Sequence, residues 1–242
     1  MRSANAMAIA GLGMLALAGC DSTQTRNERA KLTAQREIAA REPERVKTAN
    51  PDVQVTGAQL VRGPRGAAVV VDVRSSAVAP LTDVPVTVGV RRGERYVALN
   101  TGKELEWFQW HLPAIPARGA ATWVFRVPPG RALRAGDTAF AKVGVPGGKV
   151  VTRTDALPQI TASALTRPTG ARARVVVDNV SDVPQFGLQV YAVGRAGGRV
   201  VAAGAATVER LNRDQQREVT VRLAGRPAAS KLDVVAVPTI FQ

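Results

Sequence analysis

The order of short valine-rich runs in this chain occurs twice, and that repetition restricts the fold more than any other feature. Val55-Thr56-Gly57-Ala58-Gln59-Leu60 matches Ile160-Thr161-Ala162-Ser163-Ala164-Leu165, and Val69-Val70-Val71-Asp72 matches Val175-Val176-Val177-Asp178. Val84, Val86 and Val88 match Leu188, Val190 and Ala192, and Trp123 and Phe125 match Val219 and Val221. The run from Ala141 to Pro146 matches that from Asp233 to Pro238. Within the runs, side chains alternate with a period of two. Ala67, Val69, Val71 and Val73 share one face, and Ala68, Val70, Asp72 and Arg74 the other. Val84, Val86, Val88 and Val90 line one face, opposed by Pro85, Thr87 and Gly89. Such alternation, in runs bounded by Gly, Pro, Asn and Asp, marks half-buried strands, and many short strands at regular spacing predict a sandwich. The expectation is an all-β chain with two tandem β-sandwich domains, residues 51–152 and 153–242. Loops are longer in the first, mainly around residues 100–120. The connection Thr152–Leu157 is short, which predicts a stiff pair.

Upstream the pattern changes. Met7 to Ala18 is an uncharged, mostly apolar run behind Arg2. A spanning helix needs about 20 apolar residues, so this run has the length of a signal h-region. It ends in Leu17-Ala18-Gly19-Cys20, and Cys20 is the one cysteine of the chain. A branched aliphatic, two small residues and a cysteine resemble the lipobox of bacterial lipoproteins. That resemblance implies a signal peptide over residues 1–19, removed by cleavage, and a lipidated Cys20 carrying diacylglycerol and palmitate. It places the rest of the chain on the extracytoplasmic face of the cell membrane. Asp21 resembles the inner-membrane retention signal of hosts with two membranes. Residues 20–50 then read as the lipidated cysteine and a charged tether. Helix formers dominate from Glu28 to Arg41, and Pro43 ends or kinks the helix. A fully helical tether of this length reaches about 45 Å.

The second copy contains Val175-Val176-Val177-Asp178-Asn179-Val180-Ser181-Asp182-Val183-Pro184, then Leu188-Gln189-Val190-Tyr191, then Gly197-Gly198-Arg199. Leu211-Asn212-Arg213-Asp214 leads into Glu218-Val219-Thr220-Val221. In the first copy, Leu112 to Gly119 leads into Trp123-Val124-Phe125 in the same way. These turn-and-strand motifs resemble the FxLYD and CARDB-type immunoglobulin-like domains of bacterial surface proteins. The resemblance implies two tandem immunoglobulin-like sandwiches acting as a non-catalytic binding or spacer module of the cell envelope.

Chemistry-bearing residues are sparse. With one histidine and one cysteine, no disulfide framework and no Cys/His zinc site are expected. A Ser-His-Asp machine needs His111, and no G-x-S-x-G elbow accompanies it. Neither a D-x-D-x-D-G calcium loop nor a phosphate-binding glycine loop occurs. The reading is therefore no enzyme, no metal and no cofactor. One cluster stands out: Trp107, Phe108, Trp110 and His111 lie together in the long insertion of the first copy. In an alternative function they form a platform for a sugar, a peptide or a partner protein, making the chain a ligand-carrying or enzyme-accessory lipoprotein. As structure, the same rings close one end of a core short of bulk, since aromatics are only 4% of the chain.

The net charge is +14, but the basic residues are scattered, as in Arg91-Arg92, Arg172 with Arg174, and Arg213 with Arg217. No basic motif interleaved with aromatics points to nucleic acid. The expected partners are the membrane, through the lipid anchor, and an envelope protein or an anionic cell-wall polymer drawn by long-range attraction.

Overall fold

Alternating valines do become strands, and both copies assemble them in one order. The computed structural model describes residues 46–102, 104–146, 157–227 and 231–240. Signal peptide, Cys20 and the tether up to residue 45 lie outside the described residues, as does the connection 152–157 except Leu157. The fold is all-β. The first copy contains β1 (Val53–Gly63), β2 (Gly66–Ser75), β3 (Leu81–Arg92), β4 (Arg95–Ala98), a 3-10 turn (Trp107–Gln109), β5 (His111–Ile115), β6 (Ala120–Val127) and β7 (Thr138–Val143). The second contains β8 (Ile160–Ala164), β9 (Arg172–Asn179), β10 (Gln185–Ala196), β11 (Arg199–Leu211), β12 (Gln215–Arg222), β13 (Ala224–Gly225) and β14 (Lys231–Val237).

Each copy is a pair of antiparallel sheets. In the first, β2 lies between β1 and β6, while β3 carries β4 and β5 along one flank and β7 along the other. In the second, β9 lies between β8 and β12, and β10 lies between β11 and β14. Val69, Val71 and Val73 pack with Val84, Val86 and Val88 in the first core. Val175 and Val177 pack with Leu188, Val190 and Ala192 in the second. Residues 46–50 are fastened to the first copy: Val46 N donates to Thr87 Oγ1 at 2.8 Å, and Asn50 N donates to Val143 O at 2.9 Å.

Backbone pairing refines the repeat. Phe125 stands opposite Val69, whereas Val219 stands opposite Val175, so β12 is slid by two residues relative to β6. A slide of two keeps every side chain on its face. For the last strand the sequence match is one residue out. Val86 faces Val143 as Val190 faces Ala236, so Val143 corresponds to Ala236 and not to Val235. Val143 and Ala236 are buried, and Val235 is exposed. The shared Val-Pro ending suggests the other register, but hydrogen bonding and burial decide it.

The two copies meet sheet on sheet. Ala68, Val70 and Val124, on the face of β2 and β6 turned away from the first core, are buried, and Val70 is only 1% exposed. They belong to one cluster with Tyr191, Val193, Ala203 and Ala224 of the second copy. Fully burying a valine contributes about 1.5–3 kcal/mol, so this layer adds substantially to both copies. Polar groups fix the register. Arg195 Nη2 donates to Asp72 Oδ1 at 2.8 Å, Thr122 Oγ1 donates to the same oxygen at 2.7 Å, and Val200 N donates to Gln59 Oε1 at 2.9 Å. At one edge backbone meets backbone. A Cβ on Gly63 would lie 2.6 Å from Gly225 N, and one on Gly225 would lie 2.1 Å from Val201 O. Gly225 also has φ +88, which only glycine adopts without cost.

Candidate functional site

The long insertion of the first copy interrupts a strand. In the second copy β11 runs unbroken beside β10, with one register shift at Gly194/Arg195. In the first copy the equivalent strand is split into β4 and β5, and residues 99–110 stand opposite Val86–Val88. Asn100 closes the gap with its side chain. Its Oδ1 accepts from Val88 N at 2.9 Å, and its Nδ2 donates to Val86 O at 2.7 Å. A buried amide thus replaces the backbone partner that the departing chain withdraws.

The excursion carries the aromatic cluster. Trp107 stacks on His111 with ring centres 3.9 Å apart and planes 11° apart. Trp110 sits 4.5 Å from Trp107 and 4.2 Å from His111. Trp110 and His111 are buried, at 5% and 6% exposure, while Trp107 and Phe108 are intermediate. The indole nitrogens are engaged: Trp107 Nε1 donates to Asp83 Oδ1, and Trp123 Nε1 donates to Phe108 O at 3.1 Å. A sugar platform needs an open ring face and a free N–H. Here His111 covers one face of Trp107, and Asp83 takes its donor. One face and the donor of Trp107 are thus already engaged inside the cluster. The structure brings Trp107, Trp110 and His111 into one ring cluster, with Asp83 as a member that the sequence did not flag, while Phe108 meets Trp123 through its backbone carbonyl.

Asp83 has φ +53, and Gly187, at the matching place in β10, has φ +63. Both copies therefore require a left-handed residue there. Aspartate tolerates that conformation less well than glycine. In the first copy its carboxylate is what holds the Trp107 indole.

A second feature was not legible as a cluster in the sequence. Arg62, Arg65, Arg126 and Arg131 line a cavity of about 440 Å³ at the end of the β1–β2 hairpin, with Pro128 and Leu133 among its apolar walls. The acids in ion-pair reach of these four are Asp137 and Glu104, among the described residues. Asp137 is already committed. Arg92 Nε and Nη2 donate to its two oxygens at 2.9 Å each, and Arg134 N donates at 2.7 Å. The Arg92 hydrogen bonds, then the Arg134 amide, hold the Asp137 carboxyl well below the usual carboxylate range. Arg62 is 4.0 Å from that carboxylate, and Arg131 is 3.5 Å from the exposed Glu104. The sequence signal was two arginine-bearing turns, Arg62-Gly63-Pro64-Arg65 and Pro128-Pro129-Gly130-Arg131, far apart in the chain.

Among the described residues, no group of three His, Cys, Asp or Glu side chains comes together. No helix among them is long and apolar enough to cross a membrane. No family model matches the chain, and no curated protein matches it. Among solved structures, the YadV chaperone is similar at 12% identity and a TM-score of 0.22, over 77% of this chain and 93% of that one. The red sea bream transglutaminase is similar at 15% identity and a TM-score of 0.20, over 90% of this chain and 34% of that one. At such scores neither likeness bears on what the chain does.

Proposed function

We propose that the chain is a lipid-anchored protein of the bacterial cell envelope, a non-catalytic binding or spacer module on the extracytoplasmic side. In this reading Cys20 carries the acyl chains, the residues after it are a tether, and the two sandwiches project as one body. Two or three acyl chains hold a protein firmly, since each buried CH₂ contributes about 0.8 kcal/mol. The observation that carries the spacer reading is the buried layer between the copies, with Val70 and Tyr191 at its centre. Two sandwiches that share a core keep a fixed length and orientation, which a spacer or a two-part binding surface requires.

The test is metabolic labelling with a palmitate analogue, in cells carrying the wild-type chain or the Cys20→Ala variant. Label on the wild type alone, with the wild type in the membrane fraction, supports the reading. Purified native protein that keeps residues 1–19 and carries no fatty acid overturns it.

A further inference from the structure

We infer that the arginine-lined cavity at the β1–β2 hairpin is an anion site whose ligand carries a phosphate group. It deepens the envelope-module reading by naming a ligand class, and rests on that reading only for where the ligand is met. Four arginines, Arg62, Arg65, Arg126 and Arg131, border one concavity at the sheet's end, with two acids in reach. One of those acids is consumed by Arg92, and the other, Glu104, is an exposed partner of Arg131 alone. Arg65 and Arg126 are exposed and have no ion-pair partner among the described residues. Like charges in excess of their counter-charges repel, and a bound anion relieves that repulsion.

The excess of positive charge selects the ligand. A single carboxylate brings one negative charge. A phosphate monoester brings about −1.5 to −2 and three acceptor oxygens, which guanidinium forks contact in pairs. The cavity, at about 440 Å³, is larger than the phosphate alone needs. Its walls of Val127, Pro128, Pro129 and Leu133 suit the carbon skeleton of the glycerol or sugar that bears it. The hairpin turn and the proline loop hold the site on the rigid end of the first sandwich, beside the Gly63–Gly225 contact between the copies.

Calorimetric titration of the purified full chain with inorganic pyrophosphate tests the site. The double variant Arg65→Gln/Arg126→Gln is expected to bind about tenfold more weakly or worse. Arg172→Gln/Arg222→Gln removes the same charge from the exposed sheet of the second copy and is expected to change affinity by about twofold or less. Arg65, Arg126, Arg172 and Arg222 are exposed, so both variants should keep the wild-type melting temperature. Titration with glycerol 3-phosphate and with dihexanoyl phosphatidic acid, both phosphate monoesters, separates the sources. Loss of the first in the double variant indicates a water-soluble phosphate monoester, and loss of the second a lipid-borne one. Either supports the site. Pyrophosphate binding that is undetectable at millimolar concentration, unchanged in the double variant, or weakened equally in the control pair overturns it. Acylation is read separately by labelling, so failure of the anchor and failure of the site remain distinguishable.

Discussion

The β1-β2-β6 sheet and the β8-β9-β12 sheet are built to one plan, yet one is buried on both faces and the other on one. At matching places, Ala68 of β2 corresponds to Arg174 of β9, and Val70 to Val176. Ala68 and Val70 lie against the second copy, whereas Arg174 pairs with Glu218 at the surface, Nε to Oε1 at 2.5 Å. Asp72 and Asp178 also correspond, but only Asp72 meets an arginine of the other copy, Arg195. The strand plan sets the sandwich, while the outward residues decide whether a sheet is covered or faces water. A sheet faced by alanine and valine acquires a second layer.

Substitutions at matched positions separate the two faces. Val70→Asp puts a charge between the sheets and should cost about 5 kcal/mol. Val176→Asp, at the half-buried counterpart, should cost about 1 kcal/mol or less. Urea unfolding of both variants reads the difference, and equal losses would remove the distinction between the faces. Tyr191→Ala empties the centre of the layer and should cost about 3 to 4 kcal/mol. Tyr191→Phe should leave stability unchanged or slightly raised, because the buried hydroxyl makes no hydrogen bond among the described residues. Burial pushes that phenol well above its usual range.

Weaker effects follow at the polar contacts. Arg195→Gln should cost about 1 kcal/mol, since both side chains of the Arg195–Asp72 pair keep some solvent contact. Acid separates the copies in a second way. Asp137 and Glu218 both have carboxyls held below their ordinary values, each chiefly by an arginine hydrogen bond, from Arg92 and Arg174 respectively. A depressed folded-state pKa gives stability that is present above the unfolded value and lost as pH falls toward the folded one. Stability should therefore decline below about pH 4. Asp137→Asn should flatten that decline more than Glu218→Gln, because the Asp137 side chain is 1% exposed and that of Glu218 44%. Melting temperatures between pH 2 and 6 check this. Asp83→Gly is expected to have the smallest effect, about 0.5 kcal/mol in either direction, as relief of the left-handed aspartate offsets the lost Trp107 hydrogen bond. Its signature is a shift of tryptophan emission toward solvent-exposed values.

Period-two alternation was enough to read β1, β2, β3 and their counterparts, because each buries one face in its own sandwich. The second layer was half legible. Val69-Val70-Val71 is a continuous apolar run, the pattern of a strand buried on both sides, but Val175-Val176-Val177 reads the same way and lies in a sheet open to solvent on one face. Which copy is covered depends on Ala68 against Arg174 and on the partner that Tyr191 supplies. The register of β14 was missed because composition cannot distinguish a one-residue slip when Val235 and Val237 flank Ala236. The aromatic cluster was visible by local density, whereas its anchor, Asp83, was hidden, since a left-handed backbone leaves no mark unless glycine occupies it. The arginine cavity was invisible because Arg62 and Arg126 belong to different strands and Arg65 and Arg131 to different loops, and only the β1-β2-β6 pairing brings them to one end.

All three tryptophans, Trp107, Trp110 and Trp123, belong to the first copy, while both copies contribute strands. Unfolding the wild-type chain in urea, followed at once by tryptophan emission and by far-ultraviolet circular dichroism, therefore asks directly whether the copies share a core. Superimposable curves with one midpoint are the predicted result. A dichroism transition at urea concentrations where tryptophan emission is flat would mean that the second sandwich melts by itself, and would contradict the account.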